Sequence, residues 1–262
     1  MEVKTSTIGS ESGHWYNEDG LVLAVPSADG KKMVRPTVRH ARNGLVVPSV
    51  TGILGIFDKP ALTQWKIKEH VKACAYIESR GADESFDDYF KRVSEQMNRH
   101  NDHAQVGTNI HAEIAKGLAG EHHDEIADKT IQFVKSQMAK LDNPTIKSEM
   151  PFADFTHGFG GTVDCLLIAG NETVFIDFKT TDDEKLTQGA KLAYKDSHLA
   201  QLVAYDLGTN ITAKKTRYIN VFIGRLGGEI YVHEWSDADE INWARKYFLL
   251  SLEIFKHKNG LN

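Results

Sequence analysis

Two apolar segments separated by a Gly-Asn pair constrain the fold of this chain more than any other feature. Residues 162–168 and 173–179 are each long enough for a β-strand, and the pair between them predicts a tight hairpin turn. Asp164 lies near the start of the first segment, and Asp177 and Lys179 lie at the end of the second. Because an unpaired charge in an apolar strand is costly, these three charges require a structural or a functional reason.

Side chains alternate between the two faces of a strand, and this alternation limits how the three charges can be interpreted. Asp177 and Lys179 are two residues apart, so they point to the same face, about 7 Å from each other along the strand. One interpretation is an ion pair at the end of a sheet, which adds little stability. The other is a phosphodiester-cleaving site in which Asp164 and Asp177 bind Mg²⁺ or Mn²⁺. The metal would lower the pKa of a bound water, and Lys179 would offset charge that develops on the phosphate.

The rest of the chain has the pattern of several helices followed by a small sheet. Hydrophobic periodicity and turn residues predict helices at 61–80, 85–98, 104–118, 124–141, 198–207 and 236–258. The same signals predict further strands at 145–152, 217–225 and 229–235. This order of elements is typical of one compact α/β domain.

Composition excludes several classes of protein. The 262 residues include only two cysteines, which give no disulfide framework and favour a reducing, cytoplasmic compartment. No apolar run reaches the roughly 18 residues of a membrane span, so we expect no membrane association. The net charge is −5, yet segment 31–42 contains no acid and five basic residues: Lys31, Lys32, Arg35, Arg39 and Arg42. This segment and a second basic cluster at 214–217 are either solvated loops or contacts for nucleic-acid phosphates.

Three polar residues on predicted helices are further candidates for a functional site. His111 lies at the margin of the apolar stripe of its helix, where a histidine is most often a semi-buried partner. Gln201 and Tyr205 are four residues apart and therefore share one helix face. That face is either an ordinary polar surface or a contact for a phosphate or a base.

Five short motifs, taken together and in order, resemble a known family. They are PSVT at 48–51, GTNIH at 107–111, GTVD at 161–164, IDFKTT at 176–181 and QLVAY at 201–205. The set resembles the RecB-type branch of the PD-(D/E)XK nuclease superfamily, especially bacteriophage-type exonucleases and the mitochondrial genome maintenance exonuclease. The resemblance extends over roughly residues 45–210. Val163 stands where the superfamily's name has proline, a departure that many RecB-type members share.

The resemblance implies a restriction-endonuclease-like α/β fold, with a small mixed central sheet flanked by helices and an N-terminal helical region. It also implies a single nuclease domain over residues 1–262. Within it, 1–60 would contain N-terminal strands and the PSVT segment, 61–142 the helical region, and 143–262 the nuclease core.

The same resemblance implies roles for individual residues. The implied metal ligands are the side chains of His111, Asp164 and Asp177 and the backbone carbonyl of Phe178. The implied catalytic residues are Asp164, Asp177, Lys179, Gln201 and Tyr205, of which Lys179 resembles the catalytic lysine. Glu149, on the preceding strand, corresponds to a further acidic position. The iron–sulfur cysteines of some relatives are missing here, so we expect no cluster.

The implied activity is that of a Mg²⁺- or Mn²⁺-dependent DNA exonuclease that favours single strands or free ends, in replication, recombination or repair. Basic segment 31–42 and Trp65 are the expected strand contacts, by charge and by stacking. A single-strand annealing or recombination protein is the expected partner, in the host cytoplasm if the protein is viral. Two alternatives remain at this point: a structure-specific endonuclease of the same fold, and a non-catalytic module that binds DNA ends.

Overall fold

A computed structural model describes residues 14–27, 29–57, 60–100, 103–194 and 197–261. Within helices it leaves out the side chains of 60–62, 65, 66, 97–100, 103 and 104. The helices are α1 Val38–Arg42, α2 Val50–Leu54, α3 Pro60–Tyr76, α4 Phe86–His100, α5 His103–Leu118, α6 Asp128–Met138, α7 Ala190–Ala193, α8 His198–Thr209 and α9 Ala238–Asn259. The strands are β1 Trp15–Asn17, β2 Gly20–Val22, β3 Val25–Pro26, β4 Met33–Val34, β5 Val47–Pro48, β6 Thr145–Asp154, β7 Phe159–Ala169, β8 Glu172–Thr181, β9 Lys215–Gly224 and β10 Ile230–Trp235.

A five-stranded sheet in the order β10-β9-β8-β7-β6 forms the centre of the molecule. The predicted hairpin is its middle, since β7 and β8 are antiparallel and Ala169 pairs with Glu172 across the turn. β8 and β9 are parallel, so the chain crosses over through α7 and α8 between them. The prediction of a small mixed central sheet flanked by helices, as in a restriction-endonuclease-like fold, is confirmed.

Each face of the sheet has its own hydrophobic core. On one face, α2, α8 and α9 pack over strand residues that include Leu166, Phe175 and Phe222. On the other, α5 and α6 pack over strand residues that include Leu167 and Ile176. Each such side chain stabilises the fold by about 1.5–3 kcal/mol when it is fully buried. The two cores hold the strands that carry the predicted site residues in fixed positions.

A second, three-stranded sheet in the order β2-β1-β5 packs against the end of β7. Ser49 forms a parallel bridge to Gly160, which ties the PSVT segment to the central sheet. A Cβ atom on Gly160 would lie 2.7 Å from both the Phe152 carbonyl oxygen and the Tyr16 Cβ. Glycine is therefore required for this close approach of strands.

The predicted helices from residue 61 onward and the strands of the central sheet agree with the observed ones except at their ends, whereas α1 and α2 were not predicted. The helix predicted at 124–141 is divided, because Asp124 caps a 3₁₀ turn, Glu125–Ala127, before α6 begins. The 3₁₀ turn Asp183–Gln188 and the short α7 lack a periodic pattern, so the sequence did not predict them. Among the residues described, no helix combines the length and apolar character needed to cross a bilayer.

Candidate metal centre and its surroundings

Three potential metal ligands from three different elements converge at one end of the α5 face. The ligand atoms of His111 on α5, Glu149 on β6 and Asp164 on β7 all lie within 4.8 Å of one another. His111 Nδ1 is 3.8 Å from Glu149 Oε1 and 3.8 Å from Asp164 Oδ2. These distances exceed hydrogen-bond length, but ligands of one octahedral ion at about 2.1 Å are themselves about 3–4 Å apart. A nitrogen and carboxylate oxygens at this spacing fit a divalent cation such as Mg²⁺ or Mn²⁺.

Glu149 joins this group through an unusual backbone conformation. The pairs Ser148–Cys165 and Met150–Val163 keep a continuous register, so Glu149 falls opposite Asp164 on the neighbouring strand. Its φ is 47°, in the left-handed region that a glutamate rarely adopts. Such a conformation costs about 1–3 kcal/mol and is found where the surroundings impose it, often at functional sites.

Asp164 is buried and carries the strongest electrostatic perturbation of the group. Its Oδ2 accepts a hydrogen bond of 2.8 Å from the backbone N–H of Phe178. Burial, and after it the nearby charge of Asp177, raise the pKa of Asp164 to about 7 against the opposing effects of His111, Lys179 and the Phe178 N–H. Burial likewise raises the pKa of Glu149, against the opposing effect of His111. Both carboxyls therefore gain from a cation at this position.

Asp177 lies outside this close group of ligand atoms and has partners of its own. Its side chain is fully buried, and Oδ1 accepts a hydrogen bond of 2.6 Å from Lys179 Nζ. Oδ2 accepts one of 2.8 Å from Asn220 Nδ2, and Asn220 Oδ1 in turn accepts one of 2.8 Å from Trp235 Nε1. The ion pair considered from sequence is thus present beside the candidate metal ligands, and the charge of Asp177 raises the pKa of Asp164.

Gln201 and Tyr205 lie on the face of α8 that packs on the sheet. Both are buried, and Gln201 Nε2 donates a hydrogen bond of 2.6 Å to the Tyr205 hydroxyl. Burial raises the pKa of Tyr205 well above its ordinary value, and the charges of Asp164 and Asp177 add to that shift. The pair therefore borders both carboxylates, and α8 does not present it as a solvated polar face.

A cleft of about 210 Å³ opens beside Tyr205. It is lined by His14, Tyr16, Ser49, Val50, Thr51, Gly161, Thr162 and Tyr205. The Tyr16 hydroxyl is 3.1 Å from Thr162 Oγ1, and Thr162 is two residues before Asp164 on β7. Sequence reasoning missed Tyr16 and Thr162 as site residues. The Gly160-Gly161 pair was the available signal, because a Cβ on Gly161 would lie 2.9 Å from the Tyr205 ring.

Arg42 is the predicted strand contact that lines a second cleft, of about 270 Å³, on the other side of the PSVT segment. Arg42, Pro48, Phe155 and Lys256 are among the residues that line it. Arg42 also donates a hydrogen bond of 2.7 Å to the Asn259 carbonyl at the end of α9. The remaining basic residues of the segment are exposed around β4 and α1: Lys31, Lys32, Arg35 and Arg39. Trp65 is in α3, but its side chain lies outside the described part of the structure.

The second basic cluster has acidic partners. Lys215 Nζ is 3.0 Å from Glu172 Oε1, and Arg217 Nε is 2.6 Å from Glu234 Oε1. These contacts favour the interpretation of this cluster as a solvated surface that stabilises the end of the sheet.

Comparisons with known proteins give only distant similarities. No protein-family model and no curated protein matches the chain. An alkaline exonuclease (LHK-Exo) from Laribacter hongkongensis is 13% identical, with 58% of this chain and 81% of that chain covered and a TM-score of 0.33. The same enzyme in complex with dAMP is 16% identical, with coverages of 58% and 85% and a TM-score of 0.29. A structure of SSO0001 is 15% identical, with coverages of 72% and 86% and a TM-score of 0.33. At these values the similarities do not assign an activity, which has to be argued from the site.

Proposed function

We propose that this protein is a deoxyribonuclease that depends on Mg²⁺ or Mn²⁺ and hydrolyses phosphodiester bonds from DNA ends. The observation that carries the proposal is the contact between two clusters. His111, Glu149 and Asp164 form a group with the spacing of metal ligands. Buried Asp177 and its partner, the partly exposed Lys179, lie beside it, close enough for the charge of Asp177 to affect Asp164.

Each residue has a chemical task in this proposal. The side chains of His111, Glu149, Asp164 and Asp177 and the backbone carbonyl of Phe178 would hold the metal. When bound, the metal supplies a polarised phosphoryl oxygen and a water with a lowered pKa. The Lys179 ammonium orients the attacking water and offsets negative charge that develops on the phosphate. Gln201 and Tyr205 border the two aspartates and limit the access of other water.

The substrate contacts follow from the two clefts on either side of the PSVT segment. The cleft with Tyr16, Thr162 and Tyr205 adjoins the catalytic residues and suits the nucleotide that is cleaved. The cleft with Arg42, Phe155 and Lys256 offers cations and an aromatic ring to the adjoining nucleotides. Basic segment 31–42 extends this surface for phosphates, and we include Trp65 as a stacking residue.

The preference for free ends and single strands, and a role in replication, recombination or repair with an annealing partner, rest on the resemblance of the sequence motifs. An endonuclease of the same fold would use the same catalytic residues. A non-catalytic module for binding DNA ends is disfavoured because the ligand group and the Asp177–Lys179 pair coexist in one site.

The test uses end-labelled linear single- and double-stranded DNA and closed circular DNA, each with Mg²⁺ or with EDTA. Wild type is compared with Asp177→Asn, and Asp182→Asn is the matched control. Asp182 follows the same strand, but its partners are Lys185 and Arg225 outside the site. We expect stepwise loss of linear DNA with Mg²⁺ in wild type and in the control, and a loss of at least about 10³-fold in Asp177→Asn.

Each other outcome has a defined meaning. Cutting of the circle would favour the endonuclease. Retained binding of DNA without cleavage by wild type, in either Mg²⁺ or Mn²⁺, would overturn the catalytic proposal and favour the end-binding module.

A further inference from the structure

Asp177 differs from the other carboxylates of the site because both of its oxygens are already hydrogen-bonded. Lys179 binds Oδ1 and Asn220 binds Oδ2, and the exposed fractions of Asp177 and Asn220 are both 0%. We propose that Asn220 is a positioning residue that holds Oδ2, so that Oδ1 alone exchanges Lys179 for a metal ion. The inference rests on the function proposed above and specifies how its site is prepared.

The orientation of the Asn220 amide is determined by the chemistry of its two neighbours. The indole N–H of Trp235 can only donate a hydrogen bond, and the ionised carboxylate of Asp177 can only accept one. Asn220 must therefore turn its oxygen to Trp235 and its NH₂ group to Asp177, and each contact is 2.8 Å long. The reversed amide would leave two unfavourable contacts in a buried position.

The fold fixes all three residues of this chain of hydrogen bonds. Asp177 and Asn220 are direct partners in the parallel pairing of β8 and β9. Trp235 ends β10 and is buried, with its ring in edge contact with Tyr194 and His233 at centroid distances of 4.9 Å and 4.4 Å. The hydrophobic core thus holds Trp235, Trp235 orients Asn220, and Asn220 orients Asp177.

This arrangement has a consequence for the reaction. A carboxylate with one oxygen held cannot rotate, so Asp177 presents Oδ1 in a constant direction. A metal ion held at Oδ1 would take the place of the Lys179 ammonium there, and Lys179 would then direct its charge toward the scissile phosphate. Residues that orient ligands in this way typically change metal affinity by 10–100-fold when they are mutated.

The test compares Asn220→Ala and Trp235→Phe with the control Thr216→Val. Thr216 accepts a hydrogen bond of 3.1 Å from Thr173 across the same two strands, so its loss removes a comparable contact away from the site. Mn²⁺ binding is titrated without DNA, and the Mg²⁺ concentration for half-maximal cleavage and the KM for DNA are then measured. We expect binding to weaken about tenfold in Asn220→Ala and less in Trp235→Phe, with KM unchanged and the control like wild type.

The outcomes separate this inference from the proposed function. If wild type binds no Mn²⁺ and cleaves nothing, both fail. If wild type binds and cleaves but both site variants behave like Thr216→Val, the role of Asn220 alone is overturned. Should Asn220→Ala lose its native circular dichroism spectrum, Trp235→Phe decides, because it removes the indole donor while it keeps an aromatic ring in the core.

Discussion

The two carboxylate clusters of this protein lie next to each other but are built in opposite ways. In the first, His111, Glu149 and Asp164 approach one another at distances too long for hydrogen bonds, and Glu149 adopts a strained backbone. In the second, both oxygens of Asp177 have hydrogen-bond partners inside the protein. The first cluster would therefore gain stability from a cation, whereas the charge of Asp177 in the second already has partners within the protein.

The difference teaches that two buried carboxylates of one site can differ in how far the metal-free protein already satisfies their hydrogen bonds and charge. Asp164 and Asp177 are both buried, and both follow from the same hairpin. The two aspartates differ in the side chains around them. Asp164 faces other acids and a histidine, whereas Asp177 faces a lysine and an amide. Substitutions that remove one partner at a time test this distinction.

The largest effect is expected for Lys179→Met, which keeps the length of the side chain and removes its charge. Cleavage should fall by about 10²–10³-fold, because charge on the phosphate is no longer offset. Mn²⁺ binding should persist, since the lysine no longer competes for Asp177 Oδ1. Single-turnover cleavage and Mn²⁺ titration measure the two effects, with Lys185→Met, another lysine paired with an aspartate, as the control. A parallel loss of Mn²⁺ affinity would contradict the separation of the clusters.

The second prediction concerns pH and the stability of the metal-free protein. The pKa of Asp164 rises on folding from 3.8 to about 7, so its contribution favours the folded state at low pH and is lost as pH rises from about 4 to 7. In EDTA at pH 8, Asp164→Asn should therefore be more stable than wild type by about 2–4 kcal/mol. The gain should shrink toward pH 4 in urea unfolding. A variant that is less stable at pH 8 would show that burial does not penalise this carboxylate.

A smaller effect is expected at Glu149. Glu149→Gly accepts the left-handed backbone at no steric cost and removes a carboxylate whose pKa partial desolvation raises, so the metal-free protein should gain about 1 kcal/mol. Mn²⁺ affinity should fall about tenfold with the loss of one ligand. Asn210→Gly, at the left-handed end of α8, is the control and should gain less, because asparagine tolerates this conformation. An unchanged Mn²⁺ affinity would remove Glu149 from the ligand group.

The smallest effect, on DNA binding, is expected from substitutions on the basic surface. Here segment 31–42 is compared with the basic cluster at 214–217, which has acidic partners. Arg39→Ala should weaken DNA binding about two- to threefold and reduce the slope of log affinity against log salt by about one. Lys214→Ala removes the same charge at the other cluster and should change neither quantity. Equal effects of the two variants would mean that DNA contacts the protein without preference for the 31–42 surface.

Elements with a strong local pattern could be predicted from the sequence, and contacts between distant strands could not. The hairpin of β7 and β8 and helix α8 follow from apolar periodicity, and their predicted bounds differ from the observed ones by a few residues. The alternating pattern around Glu149 gives no sign of its left-handed φ. Asn220 has the pattern of an ordinary strand residue, and its contact with Asp177 depends on the crossover between β8 and β9.

The crossover between β8 and β9 also orders the assembly of the site during folding. Asp164 and the Phe178 N–H are 14 residues apart and meet through adjacent antiparallel strands, whereas Asp177 and Asn220 are 43 residues apart. Contacts of short sequence separation form with a smaller loss of loop entropy, and distant parallel pairing is slow. The hairpin therefore orients Asp164 before Asp177 meets Asn220. His111 lies 53 residues before Asp164, so the candidate ligand group and the Asn220 contact both depend on distant pairing and complete the site late in folding.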